Sequence, residues 1–357
     1  MPLITLRHLL DYAAEHGFGV PAFNISNMEQ GLAIMNAAQA CDAPVILQAS
    51  LNVRRKYAGD RMIVSIVEAL ADMYPDNPIC LHQDHGHDEQ ACVSAISAGF
   101  TSAMMDGSLM ADGKTPASFA HNVDITARVA QIAHWTGASI EGELGVLGSL
   151  ETGEAGEEDG SGATGKLEHD QLLTDPDQAA EFVAATQVDA LAIACGTSHG
   201  AYKFTRKPDG EILAISQIEA IHNRIPDTHL VMHGSSSVPQ HLQDLINASG
   251  GDMPQTWGVP VEEIERGIRY GVRKVNIDTD CRMAMSGAMR RFARENSKNF
   301  DPRAFIQAGM AELEALVRDR FERFGAAGHG RKIQPISLPD MARRYADGAL
   351  DPRRVAA

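Results

Sequence analysis

An α/β fold, a single (β/α)8 TIM barrel with additional C-terminal helices, is predicted by three features of this 357-residue chain. Short apolar runs recur, amphipathic stretches of helical spacing follow them, and a polar residue closes every run. The runs are "VPAFNIS" (20–26), "APVILQAS" (43–50), "NPICLHQDH" (77–85), "FTSAMMDGS" (100–108), "ASIEGELG" (138–145), "ALAIACGT" (190–197), "HLVMHGSS" (229–236) and "VRKVNIDTD" (272–280). Buried strands alternating with helices such as 28–41, 116–134 and 177–187 predict parallel βαβ units, and eight in a row predict a closed barrel. No proline- or serine-rich linker interrupts the series, so residues 1–357 are read as one domain.

The bulk composition narrows the function. Hydrophobic residues make up 44% of the chain, enough for a large core, and 31 basic against 47 acidic side chains give a formal charge of -16. That charge opposes binding to nucleic acid or an anionic membrane. No basic stretch followed by an apolar one opens the chain, and no run approaches the ~18 apolar residues of a membrane span, so a cytoplasmic protein is expected. Five cysteines without a CxxC pair, mostly in apolar stretches, read as buried thiols rather than a disulfide or thiolate-metal framework.

The polar tails are the functional signal. They are Asn24, Ser50, Asp84 with His85, Asp106 with Ser108, Glu141 with Glu143, His199 just past the sixth run, His233, and Asn276 with Asp278. Barrel enzymes build their sites on the rim where these residues would gather. Asp106 or Ser108 alone reads more readily as a helix cap or turn residue. Two segments stand outside the repeat. The acidic, glycine-rich "GSLETGEAGEEDGSGATG" (148–165) buries almost nothing and is expected to be a mobile active-site loop. From 281 onward the chain reads as two helices broken at "NFDPR", more helix than the barrel needs, and contacts between copies in a homodimer or larger homo-oligomer are expected there.

His85, His199 and His233 end the third, sixth and seventh strands. On one rim, three imidazoles can hold a single Zn2+ and leave a fourth position open. Asp84, next to one of them, could accept or deliver a proton. Adjacent strand residues face opposite ways, so Asp84 and His85 converge only if the strand has begun to turn, for which Gly86 is the expected hinge. His82 reads equally as a support for the ligands or as a core histidine. "HGSSS" (233–237) and "NIDT" (276–279) follow strands seven and eight, where barrel turns and helix N-termini hold phosphate, and "GTSHGAYK" (196–203) adds glycine and Lys203.

Together "LHQDHG", "EGELG", "GEEDG", "GTSHGAYK", "VMHGSSS" and "KVNIDTD" make the chain similar, over nearly its whole length, to class II metal-dependent fructose-1,6-bisphosphate aldolases. The likeness is greatest to the longer subtype associated with Calvin-cycle operons. The resemblance implies that His85, His199 and His233 bind the catalytic zinc, that Glu143 lies near it, and that Asp84 handles the proton of the C4 hydroxyl. It further implies that Glu158 of "GEEDG" moves a proton at the nucleophilic carbon of dihydroxyacetone phosphate. Gly200, Lys203, Gly234, Ser236, Asn276, Asp278 and Thr279 match positions around one phosphate and its triose. Asn24 and Ser50 match other substrate contacts, and Arg303 matches an arginine that reaches the far phosphate from a neighbouring subunit. A monovalent cation, Na+ or K+, held by backbone carbonyls near the phosphate turns, belongs to the same set.

The implied reaction is reversible cleavage of fructose 1,6-bisphosphate into triose phosphates, with sedoheptulose 1,7-bisphosphate as a further expected substrate. The closest alternative is tagatose bisphosphate, which differs only at C4. A metal hydrolase using the H-x-H of His85 and His87 with Asp278 is a second, though such a pair would ordinarily close the first strand. The eight lysines include none that ends a strand, which disfavours a Schiff base; Lys274 lies within the eighth, as a rim or packing residue. Two stretches depart from the family pattern: "QASLNVRRKYAG" (48–59), which carries an extra residue after Ser50, and "GHGRKI" (328–333).

Overall fold

The protein is described by a computed structural model over residues 3–148, 162–163, 172–200, 202–204, 206–208 and 212–352. Its strands are β1 (Val20–Asn24), β2 (Val45–Ser50), β3 (Ile79–Gly86), β4 (Ser102–Met105), β5 (Ser139–Leu144), β6 (Ala190–Ile193), β7 (His229–Met232) and β8 (Val272–Ile277). Each pairs in parallel with the next, and β8 pairs with β1, so the ring closes. All eight expected strands are present. Of the polar tails, Asn24, Ser50, Asp84, His85, Glu141, Glu143 and Asn276 lie within the strands, whereas Asp106, Ser108, His199, His233 and Asp278 follow them in the loops.

The helices among the described residues are α1 (Leu6–His16), α2 (Met28–Cys41), α3 (Asp60–Met73), α4 (Glu89–Ala98), α5 (Phe119–Thr136), α6 (Pro176–Thr186), α7 (Ile215–Arg224), α8 (Gln240–Ala248), α9 (Val261–Arg269), α10 (Thr279–Glu295), α11 (Pro302–Arg323) and α12 (Leu338–Ala346). Local chemistry sets their ends. Asn27 caps α2 by accepting from the Gln30 N–H, and Asp88 caps α4 through Ala91. The break at "NFDPR" is real: Asp301 caps α11 and Pro302 opens it, where a missing N–H costs nothing. α11 packs on α2 and α10, and its Phe321 meets Phe23 of β1 edge-on at 5.6 Å.

The helix α12 was not anticipated. It packs on α5 and reaches the end of the barrel opposite the polar rim through Tyr345, where Asp189 is its anchor. This buried carboxylate accepts from the Tyr345 hydroxyl (2.8 Å), the Ile140 N–H (2.8 Å) and the His134 ring (3.0 Å), and the Tyr345 ring stacks on His134 at 3.8 Å. Halfway up the barrel, positions that usually hold branched apolar side chains are taken by Gln48, His82, Glu141 and Lys274, all fully buried. Ionisable groups in a barrel interior are costly unless paired, and these are.

The Asp189 anchor makes a stability prediction. Tyr345→Phe removes the O–H that Asp189 Oδ1 accepts, and leaving that buried oxygen without its donor costs about 1–3 kcal/mol. A lower urea midpoint with an unchanged m-value is the expected result; an unshifted midpoint would show that α12 is held by ring stacking alone.

Candidate active site at the carboxyl ends of the strands

The end of β3 differs from a regular strand. Its pairing with β4 shifts register between Gln83 and Gly86, and His85 lies at φ 48, in the left-handed region that L-residues rarely enter. The turn that lets Asp84 and His85 face one centre is therefore made by His85 itself. Gly86, the expected hinge, serves space instead: a Cβ there would meet Cys92 Sγ at 2.7 Å and the Met104 carbonyl at 2.9 Å. Strain of this kind persists only where surrounding contacts over-determine it, and it concentrates at functional sites.

The barrel brings His85, His199 and His233 together. One ring nitrogen from each lies within 4.8 Å of the others, and all three residues are buried. His85 Nδ1 lies 3.1 Å from Asp106 Oδ2, and His233 Nε2 lies 2.8 Å from Glu141 Oε1. Each carboxylate takes the ring N–H and so leaves the opposite nitrogen bare, and the Asn276 amide donating to His233 Nδ1 at 3.2 Å marks the same tautomer. The two bare nitrogens, His85 Nε2 and His233 Nδ1, then face each other at 3.0 Å. Facing lone pairs repel unless a proton or a metal ion lies between them.

The charge around this point favours a cation. Burial works against a charged His85, but Asp84, Asp106 and Glu143 outweigh it and raise its pKa to about 10. His233 is driven the other way, first by burial and then by the charges of His85 and Lys274. Glu143 Oε2, buried, has no hydrogen-bond partner among the described residues, and burial followed by Asp106 pushes its pKa well above the ordinary value. Two imidazoles oriented by carboxylates, the His199 ring within reach of both and surplus carboxylates form a donor set that fits Zn2+. Glu143 does not share the three-histidine cluster. It lies 3.9 Å from His85 Nδ1, the ring atom turned away from the other two histidines, and belongs to a second group with Asp106.

Asp84 lies 3.9 Å from His85 Nε2. It accepts from the amides of Asn24 (3.0 Å), Gln48 (3.3 Å) and Asn276 (3.1 Å). Burial opposes its charge, but His85, His233 and Lys274 together with the Asn24 bond hold its pKa below that of an ordinary carboxylate. Below this layer Lys274 Nζ reaches Glu141 Oε2 at 2.9 Å and His82 Nε2 at 3.4 Å, while His82 Nδ1 meets Ser102. Burial and then Lys274 keep His82 neutral. Lys274 is thus neither a rim residue nor mere packing, and His82 supports the ligand array from beneath.

The turns after β6, β7 and β8 interlock. Gly234 adopts φ 62, and a side chain there would strike the Ser198 carbonyl at 2.5 Å. Thr197 Oγ1 donates to the His233 carbonyl at 2.7 Å, and Ser235 Oγ to the Asn276 carbonyl at 2.6 Å. Asp280 accepts from the N–H groups of Ser237 (3.0 Å) and Val238 (2.8 Å), and Arg320 of α11 reaches both Ser237 Oγ and Asp280. Gly200, Ser236 and Thr279 lie in these turns or at the start of α10, and the buried Lys203 donates to the Ser198 carbonyl.

The remaining expected residues divide. Ser50 pairs in register with Asp84 and caps the following turn through Val53. Asp278 closes β8, but Arg282 binds its carboxylate at 2.7 and 2.6 Å. Arg303 is not brought to the site within one chain. The 17 residues of α10 put about 25 Å between the rim and the turn that carries it, and its exposed guanidinium pairs with Asp301. Glu158, most of the acidic loop and part of the turn after β6 lie outside the described residues. Sequence reasoning missed the orienting roles of Asp106, Glu141, Lys274 and Gln48. Asp106 and Glu141 were visible as strand tails, whereas nothing local distinguishes Lys274 or Gln48.

Comparison with known proteins agrees with this geometry. Residues 4–329 match the family described as "Fructose-bisphosphate aldolase class-II". Over 354 residues the chain is 71% identical to "Fructose-bisphosphate aldolase 1" of Cereibacter sphaeroides, covering 99% of this chain and 98% of that one. It is 69% identical over 353 residues to "Fructose-bisphosphate aldolase 2" of the same organism, covering 99% of each. Among solved structures, a putative fructose-1,6-biphosphate aldolase from Coccidioides immitis superimposes with a TM-score of 0.69 at 25% identity, over 91% of this chain and 97% of that one. With a closed barrel, a three-histidine cluster beside an ionised aspartate, and relatives matched end to end, the chain belongs to the class-II fructose-bisphosphate aldolase family.

Proposed function

We propose that the chain catalyses the reversible aldol cleavage of fructose 1,6-bisphosphate to dihydroxyacetone phosphate and glyceraldehyde 3-phosphate. The observation that carries this reading is the convergence of His85, His199 and His233 on one point with Asp84 3.9 Å from the first of them. These histidines would hold a Zn2+ ion, which supplies a Lewis acid for the negative charge that develops on the ketose carbonyl oxygen when the carbon–carbon bond breaks. Glu143 would join from the second carboxylate cluster beside His85.

The other steps fall to the protein's own groups. Asp84, kept ionised by its cationic neighbours and amide donors, takes the proton of the C4 hydroxyl as the bond breaks and returns it in the synthetic direction. Asn24 and Asn276 hold that carboxylate in place. Glu158, in the acidic loop, moves the proton at the nucleophilic carbon. Gly200, Lys203, Gly234, Ser236, Asn276, Asp278 and Thr279 surround the triose and its phosphate. A Na+ or K+ ion held by carbonyls of the same turns fits that role. Ser50 serves the other half of the substrate, and Arg303 reaches it from a second copy in a homodimer or larger assembly. Sedoheptulose 1,7-bisphosphate is a proposed further substrate, and tagatose bisphosphate differs only at the carbon that Asp84 serves.

The hydrolase alternative loses support. His87 is in neither ligand-competent cluster among the described residues, and Asp278 is engaged by Arg282 rather than open to a water. No described helix is long and apolar enough to cross a membrane.

Three outcomes are expected. Cleavage should vanish with EDTA, return with Zn2+ or Co2+, and survive borohydride; trapping of a covalent adduct by borohydride would mean Schiff-base chemistry. His233→Ala should lose bound metal, as read by elemental analysis, whereas Asp84→Ala should retain it and lose about 10²–10⁴-fold in kcat; equal metal in the His233 variant removes that residue from the ligand set. Glu158→Ala should bind dihydroxyacetone phosphate yet exchange its carbon-bound proton slowly, and exchange at the wild-type rate would reject the assignment.

A further inference from the structure

The departure after Ser50 has a defined structural form. Val53–Tyr57 is a π turn, closed by the Ala58 N–H on the Val53 carbonyl at 2.9 Å. Such a turn holds one residue more than an α-helical turn and recurs at functional sites. Here it sorts three consecutive cations into three environments. Arg54 turns inward, where its guanidinium bonds Asp60 (2.7 and 2.9 Å), the Ala91 carbonyl (2.9 Å) and Ser94 Oγ (2.9 Å), with the Phe100 ring at 5.0 Å. Arg55 reaches Asp88 at 3.4 Å. Lys56, the third, has no carboxylate partner among the described residues.

Lys56 instead lines a cavity of about 500 Å³ with Asn24, Asn52, Tyr57, Asp278 and Arg282. The cavity adjoins the reacting centre, because the Asn24 amide on its wall is the one that donates to Asp84 at 3.0 Å. It lies between the ends of β8, β1 and β2, so it shares Asp278 with the residues proposed around the triose and extends from there away from the β6 and β7 turns. Its charge is positive: Arg282 neutralises Asp278 through two bonds, so the Lys56 ammonium is left in excess in a chain of net charge -16. The buried Arg54 fixes the turn, while the flexible lysine stem lets the ammonium meet ligands of different length.

Resting on the aldolase reading above, we propose that Lys56, presented by this π turn, grips the phosphate at the aldehyde end of the substrate and so sets the preference for bisphosphorylated over monophosphorylated ketoses. The test compares metal-loaded wild type, Lys56→Ala and Lys56→Arg on fructose 1,6-bisphosphate and fructose 1-phosphate. In Lys56→Ala the ratio of kcat/KM for the bisphosphate to that for the monophosphate is expected to fall by about tenfold to a hundredfold, the range of one charge-assisted hydrogen bond. The loss should lie mainly in KM, metal content should stay equal, and Lys56→Arg should recover much of the ratio. A ratio in Lys56→Ala indistinguishable from wild type overturns the assignment and leaves the aldolase reading standing. A wild type that cleaves neither ketose overturns that reading, and this inference with it.

Discussion

The site rests on the carboxylate of Glu141, buried at the barrel axis between Lys274 below and His233 above. The Lys274 ammonium at 2.9 Å sets an opposite charge beside this buried carboxylate. Burying such a pair adds little net stability, whereas removing one partner costs several kcal/mol. What the pair does is select a tautomer: with the Nε2–H of His233 spoken for, Nδ1 is turned toward His85.

A second carboxylate repeats the device on the other ligand. Asp106 takes the Nδ1–H of His85, so both rings are aimed by acids beneath or behind them, and Asn276 ties His233 to Asp84. The catalytic aspartate and the ligand cluster therefore share one hydrogen-bonded layer. Polarity that would destabilise an ordinary barrel interior becomes a rigid support, because Asp84, Asp106, Glu141 and Lys274 each meet an opposite charge or a hydrogen-bond partner. The strain at His85 is tolerated for the same reason, since the ring it carries is fixed from two sides.

The outer helices reach into this arrangement. Asp280, in the first turn of α10, holds the turn after β7, and Arg320 of α11 balances Asp280 from outside the barrel. The added C-terminal helices thus brace the rim as well as enlarging the fold. At the opposite end α12 is locked to Asp189, so the two faces of the barrel are secured by different parts of the same C-terminal extension.

Much of this was legible in one dimension. Strands buried on all sides are written as apolar runs, and the switch from run to polar tail marks the rim, so β1 to β8 and the residues His85, His199 and His233 could be named from order alone. The break before Arg303 was equally visible, because Asp and Pro signal a helix start wherever they stand. Lys274 and Gln48 carry no such mark: each sits inside an apolar run, and its partner is defined only once the ring has closed and brought strands five, one and three around it. Local flexibility points to Gly86 as the hinge of β3, yet His85 bears the unusual backbone angle, since contacts from β4, β5 and β7 outweigh the intrinsic preference of a single residue. Sequence by itself determined which residue types lie on the rim, because periodicity and polarity are local properties. Tertiary structure decided which nitrogen of each imidazole is bare and which carboxylate stays charged, because those depend on distances between groups that the chain brings together only on folding.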